Sequence, residues 1–300
     1  MDNFIYIALV MACALVADRL LGEVSRYHPL VGLGYYVNWL RAKLWQPTKA
    51  RGIIALILAF LPLIPLLFLP RIFIIDVAIL YFVIGGKSLA EHGNAVGDAL
   101  LQNDLAKARE NVSMIVSRKT ADLDEQQVVN ATLESVLENG NYALFGALFW
   151  FTVAGVPGVI IYRFSNTLDA MWGYKNSTFK QFGWAAAKFD DLLNYLPARI
   201  CALCYAAGGK FSTAIKCWRQ QAPLCASPNG GVVMAAGAGS LQIVMGGAAK
   251  YDGYQCDKPI LGAGRPAQAG DIKRACHLVW LSGVYWVVLI ACIGLLEQIL

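Results

Sequence analysis

The chain has 300 residues, 57% of them hydrophobic and only 15% charged, with a mean hydropathy of +0.51 and a formal net charge of +5. Ordinary soluble domains carry about 25% charged residues, so this composition excludes a water-coated globule and points to an integral membrane protein. The small positive excess forms no basic block and there is no acidic tail, which excludes nucleic acid as a partner and fits Lys and Arg held on cytoplasmic loops beside anionic lipid.

The first apolar run, Phe4 to Ala17, follows Met-Asp-Asn rather than a basic leader. It reads as an uncleaved anchor, with residues 22–52 and their Arg19, Arg26, Arg41, Lys43, Lys49 and Arg51 surroundings on the cytoplasmic side. The second apolar region, Gly52 to Gly86, is interrupted by Pro70-Arg71 and predicts a hairpin of two short membrane helices. Pro62 and Pro65 should kink the first, and Asp76 on the second should face protein or water rather than lipid.

Residues 87–141 turn charged and helical in pattern. Apolar positions recur at three-to-four spacing over Ala90 to Leu101 and Leu105 to Val116, and Asp122 is the expected N-cap of the next helix. That helix puts Glu134, Glu138 and Asn141 on one face, leading into the apolar stretch Tyr142 to Tyr162. This stretch either spans or re-enters, since Gly155, Pro157 and Gly158 permit a break. Met234 to Gly247 reads as a packed small-residue helix, 249–275 as a polar loop, and Cys276 to Leu296 as the last membrane helix. The expected fold class is all-α, a multi-pass integral membrane helical bundle of about four to six spans. It forms a single domain, residues 1–300, with a cytoplasmic helical insertion at about 87–141.

Several motifs are decoys. Gly85-Gly86-Lys87-Ser88 lacks the earlier glycine of a phosphate loop, because Tyr81 stands there. His28, His92 and His277 are too far apart for metal spacing. Of eight cysteines, the Cys201/Cys204 pair lacks a second pair or nearby His, so buried thiols in a reducing compartment are expected.

The richest polar region runs from Asn166-Thr167-Leu168-Asp169 through Gly173-Tyr174-Lys175, Phe182-Gly183-Trp184, Asp190-Asp191 and Asn194-Tyr195 to Pro197-Ala198-Arg199. Acids and amides mixed with cations between apolar segments suit Mg²⁺ and phosphates. The same residues also suit a structural ion-pair network.

The segment NTLDAMWGYKNSTFKQFGWAAAKFDDLLNYLPARI, residues 166–200, resembles the signature of the adenosylcobinamide-phosphate synthase family. Ordered matches along nearly the whole chain support it: Asp18-Arg19-Leu20-Leu21-Gly22, His28-Pro29, Ser117-Arg118, Thr120, Leu123-Asp124, Glu134-Ser135-Val136, Glu138-Asn139, Ser227-Pro228-Asn229, Gly231, Gly246-Gly247 and Tyr251. The resemblance implies an ATP-dependent, Mg²⁺-assisted ligase in the plasma (inner) membrane, its active site facing the cytoplasm. It would join adenosylcobyric acid, a cobalt corrinoid, to an amino-alcohol phosphate such as aminopropanol phosphate. Carried onto matching positions, Asp169, Asp190 and Asp191 are metal candidates, with Asp169 and Asp190 also catalytic. Arg118, Lys175 and Arg199 are phosphate candidates. Glu134 and Glu138 are candidates for metal binding or for accepting the amine proton, and Asn139, Asn166, Asn194 and Asn229 for orienting substrates. Trp172, Tyr174 and Trp184 are candidates for contacts with the corrin edge, the alternative for a Trp at a membrane boundary being an interface anchor. Lys119 and Tyr142 stand where the family usually has acids and are given no role. The alternatives are a corrinoid-binding transporter or a non-catalytic membrane sensor of the same superfamily. Membrane lipid is an expected partner, as are a second copy of the chain or other membrane-bound cobalamin enzymes.

Overall fold

The computed structural model describes residues 4–23, 29–174, 179–251 and 254–299. Among the described residues the regular structure is helical apart from one small sheet, and the chain packs as two compact units: residues 1–84, 147–195 and 290–300 form the first, residues 85–146 and 196–289 the second. Among the described residues, five helical stretches are long and apolar enough to cross a membrane: Phe4–Leu21, Lys49–Phe68, Phe73–Leu101, Glu125–Trp172 and Ala269–Ile299.

In the first unit, α1 (Phe4–Leu21) packs on α4 (Phe73–Val83), and α2 (Pro29–Leu44) on α3 (Lys49–Phe60). The 52–86 region is two helical segments broken at 69–72, as expected, but each packs on another helix, α3 on α2 and α4 on α1. Thr48 caps α3, and a 3₁₀ turn over Leu61–Phe68 replaces the α-helix where Pro62 and Pro65 withhold their N–H groups. Asp76 on α4 is buried and accepts a 2.9 Å hydrogen bond from Tyr6 Oη, so the intramembrane acid faces protein. α8 (Gly146–Trp172) is broken at Gly155, whose φ of +61° ends one helical segment before Pro157 begins another. A Cβ there would lie 2.8 Å from a guanidinium nitrogen of Arg71. The core of this unit gathers Val37, Leu40, Phe164, Leu168, Trp172 and Phe182 around the first part of α9 (Trp184–Ala207).

The second unit is built around α7 (Glu125–Gly140), which packs against α5 (Gly86–Leu101), α6 (Leu105–Ser113) and α11 (Gly230–Leu241). The cap of α7 is Asp124, not Asp122. Asp124 accepts from Gln127 N while the Gln127 side chain returns to the Asp124 N–H, a reciprocal box that Asp122 is two residues too early to form. α7 is buried on most of its surface, including Val128, Leu133 and Leu137, and therefore forms core rather than a solvated face. A π turn over Asn141–Phe145 joins it to α8. α10 (Phe211–Gln221) packs on α11, which is small-residue-rich and buried almost throughout.

Two further expectations are corrected here. The helix beginning near Met234 stops at Leu241, where Gln242 takes the left-handed conformation. The stretch expected to be a polar loop is instead a β-hairpin followed by the first turns of the last helix. β1 (Ile243–Tyr251) and β2 (Tyr254–Gly262) pair antiparallel, with a bulge at Gly246/Gly247, and β3 (Arg265–Pro266) runs parallel to β1. Small and polar residues hide the strand period, and the pairing is secured from outside. Asn130 on α7 donates to Gly246 O at 2.9 Å, and the Gln221 amide bonds both the N–H and the C=O of Gly262. α12 (Ala269–Ile299) starts seven residues before the apolar run Cys276 to Leu296.

Candidate functional site

The candidate residues fall into two groups, one within each unit. In the first unit, α9 carries Asp190, Asp191 and Asn194, and α8 carries Asn166 and Asp169. Asp190 and Asn194 are one turn apart and both buried. Asn194 Nδ2 donates to the Asp190 carbonyl at 3.0 Å, and its Oδ1 accepts from Tyr162 Oη at 2.9 Å. The Asp190 side chain is 2% exposed, and its Oδ1 has no hydrogen-bond partner among the described residues. Burial, reinforced by the charges of Asp169 and Asp191, pushes the Asp190 carboxyl up to about 8, against the opposing pull of the Asn194 and Asn166 amides. Lys188 pairs with Asp191 at 3.1 Å. Asp169 lies over Gly173, where a Cβ would come 1.9 Å from its Oδ1. Lys175 lies outside the described residues.

Trp172 corrects one expectation. It is fully buried against Phe182 in the core of this unit, ring centroids 5.2 Å apart, and has no edge left for a corrin. Tyr174 and Trp184 are exposed, the latter with Lys49 Nζ 4.5 Å above its ring.

In the second unit, Glu134 and Glu138 project from one face of α7. Glu134, 5% exposed, receives two cations on the same oxygen: Arg118 Nη2 from the connection before α7, and Lys258 Nζ from β2 at 2.7 Å. Two cations on Glu134 leave one positive charge, which Glu138 on the same face of α7 opposes. Asn139 Nδ2 donates to Ser135 Oγ at 3.0 Å. Ser227 Oγ accepts from Gly230 N at 2.9 Å at the start of α11, and the buried Asn229, at the N-cap position without a cap bond from its side chain, accepts from Arg199 Nη1 at 2.9 Å. Glu138 presses against this helix start so closely that a Cβ on Gly230 would sit 2.2 Å from its Oε1. A carboxylate there meets the positive end of the helix. Cys225 is close enough to Glu138 and Glu134 that, after burial, their charges push its thiol up. Arg199, Trp218, Arg219, Pro223, Cys225 and Pro228 line a cleft of about 380 Å³.

The sequence reading gave no role to Lys258, Arg219 or Tyr162. Lys258 is distant in sequence from Glu134, and only the hairpin register brings it there. Tyr162 sits in an apolar run with nothing to mark it. Lys119 is exposed beside Arg118, and Tyr142 is half-buried in the π turn.

Among the described residues no group of three or more His, Cys, Asp or Glu side chains is arranged to hold a metal by itself. Mg²⁺ does not require such a cage, since it binds through one or two carboxylates plus waters and substrate phosphates. An unpartnered buried carboxylate oxygen flanked by two more acids fits that donor set. The CxxC cysteines take no part: Cys201 and Cys204 are free, and burial pushes Cys204 up to about 11.

Together these features define a helical membrane protein carrying one buried acid–amide cluster and one cluster of paired acids and cations. The chain belongs to the CobD/Cbib protein family, whose model matches residues 11–279, and its role is in cobalamin biosynthesis. It is 50% identical over 289 residues to the cobalamin biosynthesis protein CobD of Stutzerimonas stutzeri, covering 92% of this chain and 94% of that one. It is 49% identical over 290 residues to that of Chromobacterium violaceum, at 91% and 92% coverage, and 36% identical over 305 residues to that of Rhizobium meliloti, at 92% and 93%. No solved structure matches the chain at a significant level.

Proposed function

We propose that this protein is an adenosylcobinamide-phosphate synthase, an ATP-dependent ligase of the inner membrane whose chemistry faces the cytoplasm. It joins the carboxylate of adenosylcobyric acid to the amine of an amino-alcohol phosphate. The observation that carries this reading is the buried Asp190 carboxylate, with Oδ1 unpartnered and two acids beside it.

Hydroxide is a poor leaving group. Transfer of the ATP γ-phosphoryl to the corrinoid carboxylate, releasing ADP, gives an acyl phosphate. The amine then attacks the acyl carbon, and phosphate departs with the acyl–oxygen electrons. Both steps gather negative charge on phosphoryl oxygens, so cations should supply most of the rate. Bound Mg²⁺ would neutralise phosphate charge and hold the nucleotide in line.

Asp190, with Asp169 and Asp191, would hold that Mg²⁺. Asn194, oriented by Tyr162, and Asn166 fix the Asp190 segment and orient substrate. Arg118 and Lys258, aimed by Glu134, carry the charge that phosphate needs, and Arg199, held by Asn229, presents a planar donor pair of the same kind. Glu138 accepts the proton lost by the attacking amine. Glu134 is committed to its two cations and acts by positioning them. Asn139 orients substrate from the same face of α7.

Purified protein given adenosylcobyric acid, aminopropanol phosphate and Mg-ATP should form adenosylcobinamide phosphate, ADP and phosphate, and Asp190→Ala should abolish this while remaining folded in detergent. Full turnover by that variant would remove the metal assignment. Corrinoid binding without product would instead favour a transporter or sensor, to which the helix break at Gly155 is suited.

A further inference from the structure

A second cavity, of about 420 Å³, lies in the second unit away from every residue assigned above. Lys273, Arg274 and His277 line one part of it, Leu241, Leu278 and Leu281 another, and the backbone of Gly208-Gly209 closes it. Lys273, His277 and Leu281 follow one another at i+4 spacing and share a face of α12.

The charge here is unbalanced. Asp271 is buried and held by Arg265, at 2.7 and 2.8 Å, and by Arg274, at 2.6 Å. Two arginines on one carboxylate leave one positive charge, and Lys273, which is not paired with Asp271, adds a second. Arg274 is fixed further by donating to Leu241 O at 3.1 Å. Lys273 and His277 are exposed and form no hydrogen bond or ion pair among the described residues. The cationic groups are thus partly pre-set and partly open.

The gradient identifies the ligand. From Lys273 to Leu281 the helix rises about 12 Å, passing from ammonium through imidazole to leucine just where the apolar part of a candidate membrane span begins. A bilayer changes from headgroup to hydrocarbon over a comparable depth of about 5–8 Å. Leu241 and Leu278 are packed in the core, so the apolar surface open at this end is that of the half-buried Leu281; a free phosphate would leave it unused, whereas a lipid uses both ends of the cavity. We infer that this cavity binds the phosphate headgroup of an anionic phospholipid, with Lys273 and His277 meeting the phosphate and the half-buried Leu281 the start of an acyl chain.

The test compares delipidated wild-type protein with Lys273→Gln/His277→Gln in neutral detergent. Each is titrated with phosphatidylglycerol, phosphatidylcholine or inorganic phosphate, and bound lipid is counted by native mass spectrometry beside thermal stability. The wild type should bind phosphatidylglycerol in preference to phosphatidylcholine. The double variant, folded and with its ligation rate in detergent unchanged, should bind phosphatidylglycerol at least about fivefold more weakly, the loss expected for one interfacial cation. Equal binding of the two lipids by the wild type, or undiminished phosphatidylglycerol binding by the variant, overturns the proposal. Protection by inorganic phosphate as strong as by phosphatidylglycerol also overturns it, since the acyl chain beside Leu281 would then contribute nothing.

Discussion

Tyr162 Oη donates a 2.9 Å hydrogen bond to Asn194 Oδ1 with both side chains buried, and so holds the oxygen end of the Asn194 amide. With its oxygen taken, the amide nitrogen turns to the Asp190 carbonyl. Tyr162→Phe would leave a buried acceptor unpaired and should cost about 1–3 kcal/mol. The expected result is a lower melting temperature in detergent together with a larger Mg²⁺ requirement for ligation. A variant that melts lower at unchanged Mg²⁺ dependence would restrict Tyr162 to holding the fold.

Stability should also depend on pH through Asp190. Its carboxyl titrates near 8 in the folded chain, far above the ordinary carboxylate range, so the folded state keeps a proton that the unfolded state loses from about pH 4 upward. The associated stability is whole below about pH 4 and is lost as pH rises towards 8. In metal-free detergent solution the wild type should therefore lose stability between pH 5 and 8 relative to Asp190→Asn. Added Mg²⁺ should recover the wild type, not the variant, at pH 8. Parallel pH profiles for the two proteins would contradict the buried-acid reading.

The pair on Glu134 offers a separable test. Lys258→Gln leaves Arg118 in place and should raise the apparent KM for the phosphate-bearing substrates about tenfold, with a modest stability loss. Glu134→Gln strands two cations at a buried position and should destabilise by about 3–5 kcal/mol, the usual result of removing one partner of a buried pair. Steady-state kinetics and thermal unfolding of the two variants distinguish clamp from scaffold.

Asp76 should behave differently from Asp190. Its hydrogen bond from Tyr6 accounts for it structurally, so Tyr6→Phe should cost about 0.5–2 kcal/mol, typical of polar contacts between membrane helices. Turnover per folded molecule should not change. A selective loss of kcat would give Asp76 a functional part.

Reporter fusions at residues 120, 180 and 260 test sidedness. Cytoplasmic ligation requires all three to report the cytoplasm. A periplasmic signal at any of them would put that segment out of reach of ATP.

Much of this was legible before the fold was known. The break within 52–86, the helices that end at Leu101 and begin at Leu105, and the inward-facing Asp76 follow from periodicity, proline placement and the cost of a charge in lipid. The β-hairpin was hidden because Ile243 to Gly262 mixes glycine, alanine and polar residues, and what secures it is the side chains of Asn130 and Gln221, distant in sequence. Trp172 was misjudged for a related reason: an aromatic beside a polar motif reads alike whether it lines a cavity or fills a core.

Sequence alone determined that this chain belongs in a bilayer, which of its segments are apolar enough to cross, and which family motifs it carries. These are local properties, set by transfer free energies and residue spacing. Tertiary structure alone decided that Glu134 is spent on Arg118 and Lys258, that Asp190 keeps an unpaired oxygen, and that Arg199 is held by Asn229. Burial and charge pairing depend on contacts across long stretches of chain, and no local pattern encodes them.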